Sequence, residues 1–195
     1  AHVVAVMARG RLYTWGSAEF GQLGHGDTAD RLVPTLVEEG AFGGSAAGMA
    51  ACGDEHTLVV THDGALWACG SGEFGRLGLN DEEDRYSFER VGAEEFGGAR
   101  VVAAAAGWNH SVAVTEDGAL WTWGSGNDGR LGHGGHQPRL VPTLVSGAGL
   151  GSGRIGRCRG LPAEHAVAFA MGTHGRLGAA SPVRCLAGEV GLLRM

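Results

Sequence analysis

Hydrophobic and polar positions fall into short alternating tracts along most of this chain. His110-Ser111-Val112-Ala113-Val114-Thr115 alternates small or polar side chains with apolar ones, and the tract from Ala119 to Gly124 does the same after the turn Glu116-Asp117-Gly118. Period-two alternation predicts strands. Asp-Gly between two such runs predicts a hairpin, because glycine accepts the positive φ that the turn requires. His62-Asp63-Gly64 repeats that turn earlier in the chain. A further strand is expected from Arg139 to Val145, where Pro142 removes a ladder donor and so suits an outer edge. Another is expected from Arg100 to Ala106, whose small side chains suit a crowded position near a hub.

The tracts recur every 54 residues. Gly10-Arg11-Leu12-Tyr13-Thr14-Trp15-Gly16 returns as Gly64-Ala65-Leu66-Trp67-Ala68-Cys69-Gly70 and as Gly118-Ala119-Leu120-Trp121-Thr122-Trp123-Gly124. His2, His56 and His110 keep the step, as do Arg31, Arg85 and Arg139, while His165 arrives one residue late. Four short strands per period and no convincing helix predict an all-β fold, a β-propeller of four-stranded antiparallel blades. The length accommodates about 3.5 blades, fewer than closed propellers have, so an incomplete ring is expected. The repeats fall at approximately 2–55, 56–109, 110–164 and 165–195 of one partial propeller domain. The last is shortened in its hairpin, and the glycine-rich stretch 147–160 reads as a loop. Open strand edges then become sites of self-association or of partner binding.

Composition narrows the function. With 37 Gly and 5 Pro in 195 residues, a helical bundle is excluded. The formal charge of −6 gives no electrostatic footprint for a nucleic-acid backbone, so strong nucleic-acid binding by this segment is not expected. No apolar run reaches the ~18 residues of a membrane span. The start, Ala1-His2-Val3-Val4, carries no initiator Met and no secretory signal, and a piece of a longer chain is expected. Cys52, Cys69, Cys158 and Cys185 form no C-x-x-C pair, which leads to reduced thiols in an intracellular protein of the cytoplasm or nucleus.

Cys52-Gly53-Asp54-Glu55-His56-Thr57-Leu58, followed by Asp63-Gly64-Ala65-Leu66-Trp67 and by Gly70-Ser71-Gly72-Glu73-Phe74-Gly75-Arg76-Leu77-Gly78, resembles the regulator of chromosome condensation repeat family. The resemblance covers most of residues 1–145 and implies blades of a seven-bladed propeller. It also implies one of several roles: a nucleotide exchange factor for a small GTPase, a partner module of a HECT-type ubiquitin ligase, or a UV-B photoreceptor. Trp108 stands where the photoreceptor branch carries light-absorbing tryptophans, but the position one period earlier is Asp54, and excitonic coupling needs several clustered indoles.

Candidate chemistry is sparse. Gly70-Ser71-Gly72-Glu73-Phe74-Gly75 and Gly124-Ser125-Gly126-Asn127-Asp128-Gly129 match G-x-G-x-x-G, yet no helical run follows, so they read as turn glycines and no cofactor is expected. The registered histidines His2, His56, His110 and His165 are too far apart for one metal and read as structural imidazoles bonded to backbone of their own or the next blade. Trp15, Trp67, Trp121 and Trp123 read as filling between neighbouring sheets. No nucleophile with an attendant base stands out, so the chain reads as a non-catalytic protein-interaction module. Arg31, Arg85 and Arg139 read first as inter-blade ion pairs or caps and second as contacts on a partner-binding face. Asp81-Glu82-Glu83-Asp84 breaks the repeat and is the best candidate contact for a basic partner.

Overall fold

A computed structural model describes residues 1–146. The loop 147–160, His165 and the shortened unit 165–195 lie outside the described residues. Within them, β1 (His2–Val6), β2 (Leu12–Gly16) and β3 (Arg31–Leu36) form a first antiparallel sheet. A second sheet comprises β4 (Ala47–Cys52), β5 (His56–Thr61), β6 (Leu66–Gly70) and β7 (Arg85–Arg90). The third is built of β8 (Val101–Ala106), β9 (His110–Thr115), β10 (Leu120–Gly124) and β11 (Arg139–Leu144). Each sheet runs in chain order, the blade arrangement of a β-propeller. The first sheet has three strands, not the four expected, because β1 corresponds to the second strand, β5 or β9, of the others.

β4 and β8 touch across the seam between their sheets and are the inner strands, which explains their small side chains. β3, β7 and β11 are the outer edges, and Pro34 and Pro142 lie there, where a missing N–H disrupts no ladder. The predicted hairpins form. Gly64 and Gly118 take φ of 82° and 84°, and each donates its N–H at 2.8 Å to the carbonyl of Thr61 or Thr115.

Alternation along each strand sends neighbouring residues to opposite blades. Val59 and Cys69 pack toward the first sheet with Leu12, Val37, Phe42 and Phe88. Leu58, Val60, Leu66 and Ala68 pack toward the third with Leu77, Val101, Ala113 and Trp123. β5 is therefore buried along its whole length, on both faces. Phe42 and Phe96, one period apart in the connections between blades, meet the tryptophans edge-on, Phe42 against Trp67 at 5.7 Å and Phe96 against Trp121 at 5.6 Å. Trp123 is fully buried, whereas Trp15, Trp67 and Trp121 are half-buried.

Polar stitches repeat at each seam. Thr57 donates its hydroxyl proton to the Gln22 carbonyl at 2.7 Å, and Ser111 donates to the Arg76 carbonyl at 2.7 Å. Each hydroxyl then accepts from a histidine of the preceding blade, His2 Nε2 at 2.7 Å and His56 Nε2 at 2.9 Å. This corrects the expectation of a backbone partner: the imidazoles bond a side-chain hydroxyl of the next blade. Since each hydroxyl's only proton is committed to a carbonyl, both imidazoles are the neutral Nε2–H tautomer. Burial pushes His2 down to about 4, helped by the N-terminal charge and opposed by Asp54. It pushes His56 to about 3, with Arg76 contributing, and His110 to about 4, with Arg130 contributing.

Candidate protein-interaction face

β4 and β6 both run antiparallel to β5, so the turn after β4 and the long loop after β6 leave the sheet at the same end. The same holds for β8 and β10. The turns 53–55 and 107–109 and the loops 17–30, 71–84 and 125–138 thus share one face. Each long loop opens on two successive tight turns. In the second sheet these are Gly75 N–H to the Gly72 carbonyl at 2.8 Å and Gly78 N–H to the Gly75 carbonyl at 2.9 Å. The G-x-G-x-x-G glycines serve these turns. The second motif half is itself a single 3-10 turn, Glu73–Gly75, with no helix N-terminus to receive a phosphate. Gly75 has φ of 73°, and a side chain there would strike Leu140 of the next blade.

The structure divides the predicted site residues. Arg85 donates to Asp81 at 2.6 Å, to Glu89 at 2.7 Å and to the Glu83 carbonyl at 3.0 Å. Arg31 donates to Asp27 at 2.8 Å and to the Ala29 carbonyl at 2.6 Å. Both arginines clamp their own loop and make no inter-blade ion pair among the described residues, so of the two expected structural roles the local cap is the one observed. The register explains it, because Asp27 and Asp81 stand four residues before their arginines within the same turn. Asp84 accepts the Gly72 N–H at 2.9 Å, as Asp30 accepts the Ala18 N–H at 2.9 Å. The third loop has Gly135 and Pro138 in place of these acids, and the Arg139 side chain makes no hydrogen bond or ion pair among the described residues. Asp81 and Asp84 are therefore internal braces. Glu82 and Glu83 are the exposed acids at the loop tip.

Sequence reasoning missed Arg76. Its guanidinium is fully buried and paired with Glu55 and Glu73, both at 2.8 Å. Its carbonyl accepts from Ser111 and, at 3.0 Å, from Trp123 Nε1. No local signal announces this, because Gln22 and Arg130 occupy the equivalent positions and Glu55 belongs to a different tract. Trp108 is 62% exposed in the turn 107–109. Cys52 and Cys69 are free thiols, and burial pushes Cys52 up to about 12, out of the reactive range.

The family model described as the regulator of chromosome condensation (RCC1) repeat matches residues 9–60, 63–114 and 117–155, copies that begin at the observed step. The chain belongs to this family. Among curated proteins it is similar to the ultraviolet-B receptor UVR8 of Arabidopsis thaliana, 44% identical over 142 residues that cover 73% of this chain and 31% of that protein. It is similar also to the human E3 ubiquitin-protein ligase HERC2, 40% identical over 75% of this chain and 3% of that one. The mouse X-linked retinitis pigmentosa GTPase regulator is 39% identical over 67% of this chain and 13% of its own. The chain thus spans a third or less of these relatives. The fold matches the crystal structure of human WBSCR16, with TM-score 0.68 and 24% identity over 77% of this chain and 38% of that chain. It matches equally that of Prp20p from Saccharomyces cerevisiae, characterised for its binding to Gsp1p and histones, with TM-score 0.66 and 24% identity over 76% and 37%. In RCC1-repeat terms, the seam hydroxyls and tight-turn glycines recur between copies, while Glu82, Glu83 and Trp108 belong to one copy each.

Proposed function

We propose that this chain is a non-catalytic protein-interaction module of an intracellular protein, cytoplasmic or nuclear, which presents its loop face to a basic protein partner. The observation that carries this reading is the braced acidic loop. Asp81 and Asp84 are committed to Arg85 and Gly72, and that leaves Glu82 and the largely exposed Glu83, whose carboxylate keeps only a 3.9 Å approach to Arg85, facing water on a stiff support. Rigid scaffolds with variable loops are where recognition concentrates. The test is titration of the 195-residue chain with purified core histones, a basic probe suggested by the Prp20p likeness. Binding is expected to weaken about three- to tenfold in the double variant Glu82→Gln/Glu83→Gln and to fall steeply with salt, as for exposed charge pairs. Absence of binding at micromolar protein, or affinity indifferent to the double variant, rejects the reading.

A second reading is favoured by the likeness to a GTPase regulator: the loop face engages a small GTPase and promotes nucleotide release. It predicts faster loss of a fluorescent guanine nucleotide from a nuclear small GTPase on addition of this chain. An unchanged release rate at micromolar chain excludes exchange activity for this segment.

A further inference from the structure

The end of the sheets opposite the long loops carries a cavity at the seam between the second and third sheets. It lies where the hairpin turn between β5 and β6 meets the connection from β7 to β8, and its volume is about 90 Å³. That is room for roughly six to nine water-sized groups. Leu66, Val91 and Phe96, all buried in the core between these sheets, form its apolar floor. Asp63, Arg90 and Arg100 supply the charge around it. Asp63 is turned to its own hairpin: its carboxylate accepts from the hydroxyls of Thr61 and, at 3.0 Å, of Ser45, and the Thr61 bond foremost holds it below the usual carboxylate range. Arg100 reaches back across the seam, donating through Nη2 to the His62 carbonyl at 2.7 Å and through Nε to the Asp63 carbonyl at 3.0 Å. Those acceptors are neutral, so the guanidinium is fixed in place without an ion pair. The Arg90 side chain is exposed and makes no hydrogen bond or ion pair among the described residues.

The repeat does not require this pair of arginines. One period earlier their positions hold Leu36 and Ala46, and one period after Arg90 stands Leu144, whereas the floor residue Phe96 recurs as Phe42. Two guanidinium groups over an apolar floor suit an anion on an apolar stem, because their planar forks match a carboxylate and the floor takes the hydrocarbon. A phosphate fits poorly, since the floor offers no donor in exchange for its hydration. We propose that this cavity binds a carboxylate on a short apolar stem, its oxygens held between Arg90 and the remaining Nη1 of Arg100 and its hydrocarbon laid on Leu66, Val91 and Phe96. The site is independent of the loop face, which lies at the other end of the same sheets. A free branched-chain carboxylate and the C-terminus of a peptide ending in Val present the same chemistry. Glu94, an exposed acid in the same connection whose carboxylate lies against Gly92, opposes either one.

The test uses the 195-residue chain, sodium isovalerate, and the fluorescein-labelled peptide Gly-Ser-Gly-Ser-Val with a free C-terminus, read by anisotropy at low salt. The peptide acid is expected to bind, and its C-terminal amide to bind about tenfold more weakly, the scale of a charge-assisted contact. Arg90→Gln is expected to weaken the acid about five- to tenfold. Arg100→Lys keeps the charge but loses the fork, and a loss of about two- to fivefold is expected. Glu94→Gln is expected to tighten binding about twofold. Because Arg90 is exposed and unpaired, far-UV circular dichroism and the urea midpoint of Arg90→Gln stay at the parent values, which separates lost contact from lost fold. Isovalerate that displaces the peptide at a comparable concentration assigns the site to a free carboxylate, and a peptide more than tenfold tighter assigns it to a chain end; both support the cavity site. Absence of binding by either at millimolar concentration, equal binding of acid and amide, indifference to Arg90→Gln, or displacement by inorganic phosphate as readily as by isovalerate overturns it. Histone binding at the loop face is read in the same variants, so either reading can fail while the other stands.

Discussion

Thr57 and Ser111 each follow a periodic histidine by one residue, and that adjacency does structural work on both sides of a strand. Neighbouring residues on a strand point to opposite faces. His56 therefore reaches forward to Ser111 of the next blade, while Thr57 reaches back to the Gln22 carbonyl of the preceding one. Ser111→Ala leaves the His56 Nε2–H buried without an acceptor and removes a donor from the Arg76 carbonyl. We expect a loss of about 1–3 kcal/mol in urea unfolding, the usual cost of orphaning a buried polar group. Stability also depends on acid. His2, His56 and His110 titrate near 6.5 when unfolded and at about 4, 3 and 4 when folded, so between those values the unfolded chain binds more protons. The contribution of neutral histidine is fully present above about pH 6.5 and is lost as pH falls toward 4. The urea midpoint is expected to decline from pH 7 to pH 5, and a flat profile across that window rejects buried neutral imidazoles. The histidine period was plain in the sequence. The hydroxyl partner was not, because the bond joins positions 55 apart, on different blades.

At the scale of elements, the strands, the Asp-Gly hairpins and the edge position of Pro142 were legible in the chain, since each is set by neighbours in sequence: alternation, a positive φ, a missing donor. The loops were legible only as glycine-rich turns. Why Gly75 is glycine depends on the next blade, where Leu140 fills the space a side chain would need. Gly75→Ala adds a left-handed backbone penalty of about 1–2 kcal/mol to that collision, so its loss in urea unfolding is expected to exceed the penalty alone. A variant as stable as the parent contradicts the close approach of β11 to this loop. The acidic run shows the same limit. Four consecutive acids looked alike in sequence, and the fold separates two braces from two exposed contacts through Arg85 and the Gly72 N–H, neither visible without the turn geometry.

For the molecule as a whole, the 54-residue period sufficed to predict sheets in chain order, because each blade touches only its neighbours and every seam is built alike. Arg76 escaped that logic, as its buried guanidinium pairs with the partly exposed Glu55 and Glu73 at one seam, while the equivalent Gln22 carries no charge at the other. The stitches also have a direction. At the two described seams the imidazole comes from the earlier blade and the hydroxyl from the later one, and the second blade offers His56 toward one neighbour and Thr57 toward the other, so these blades join head to tail. Gene rearrangements that duplicate or delete whole 54-residue units keep the two positions in register and preserve the bond wherever a hydroxyl follows the histidine, as at Thr57 and Ser111 but not at Val3, whereas an exchange out of phase by one residue turns imidazole and hydroxyl to the wrong sides together. Ring size in such an architecture can change in steps of one blade, while the order of joining is set by the strand that carries both groups.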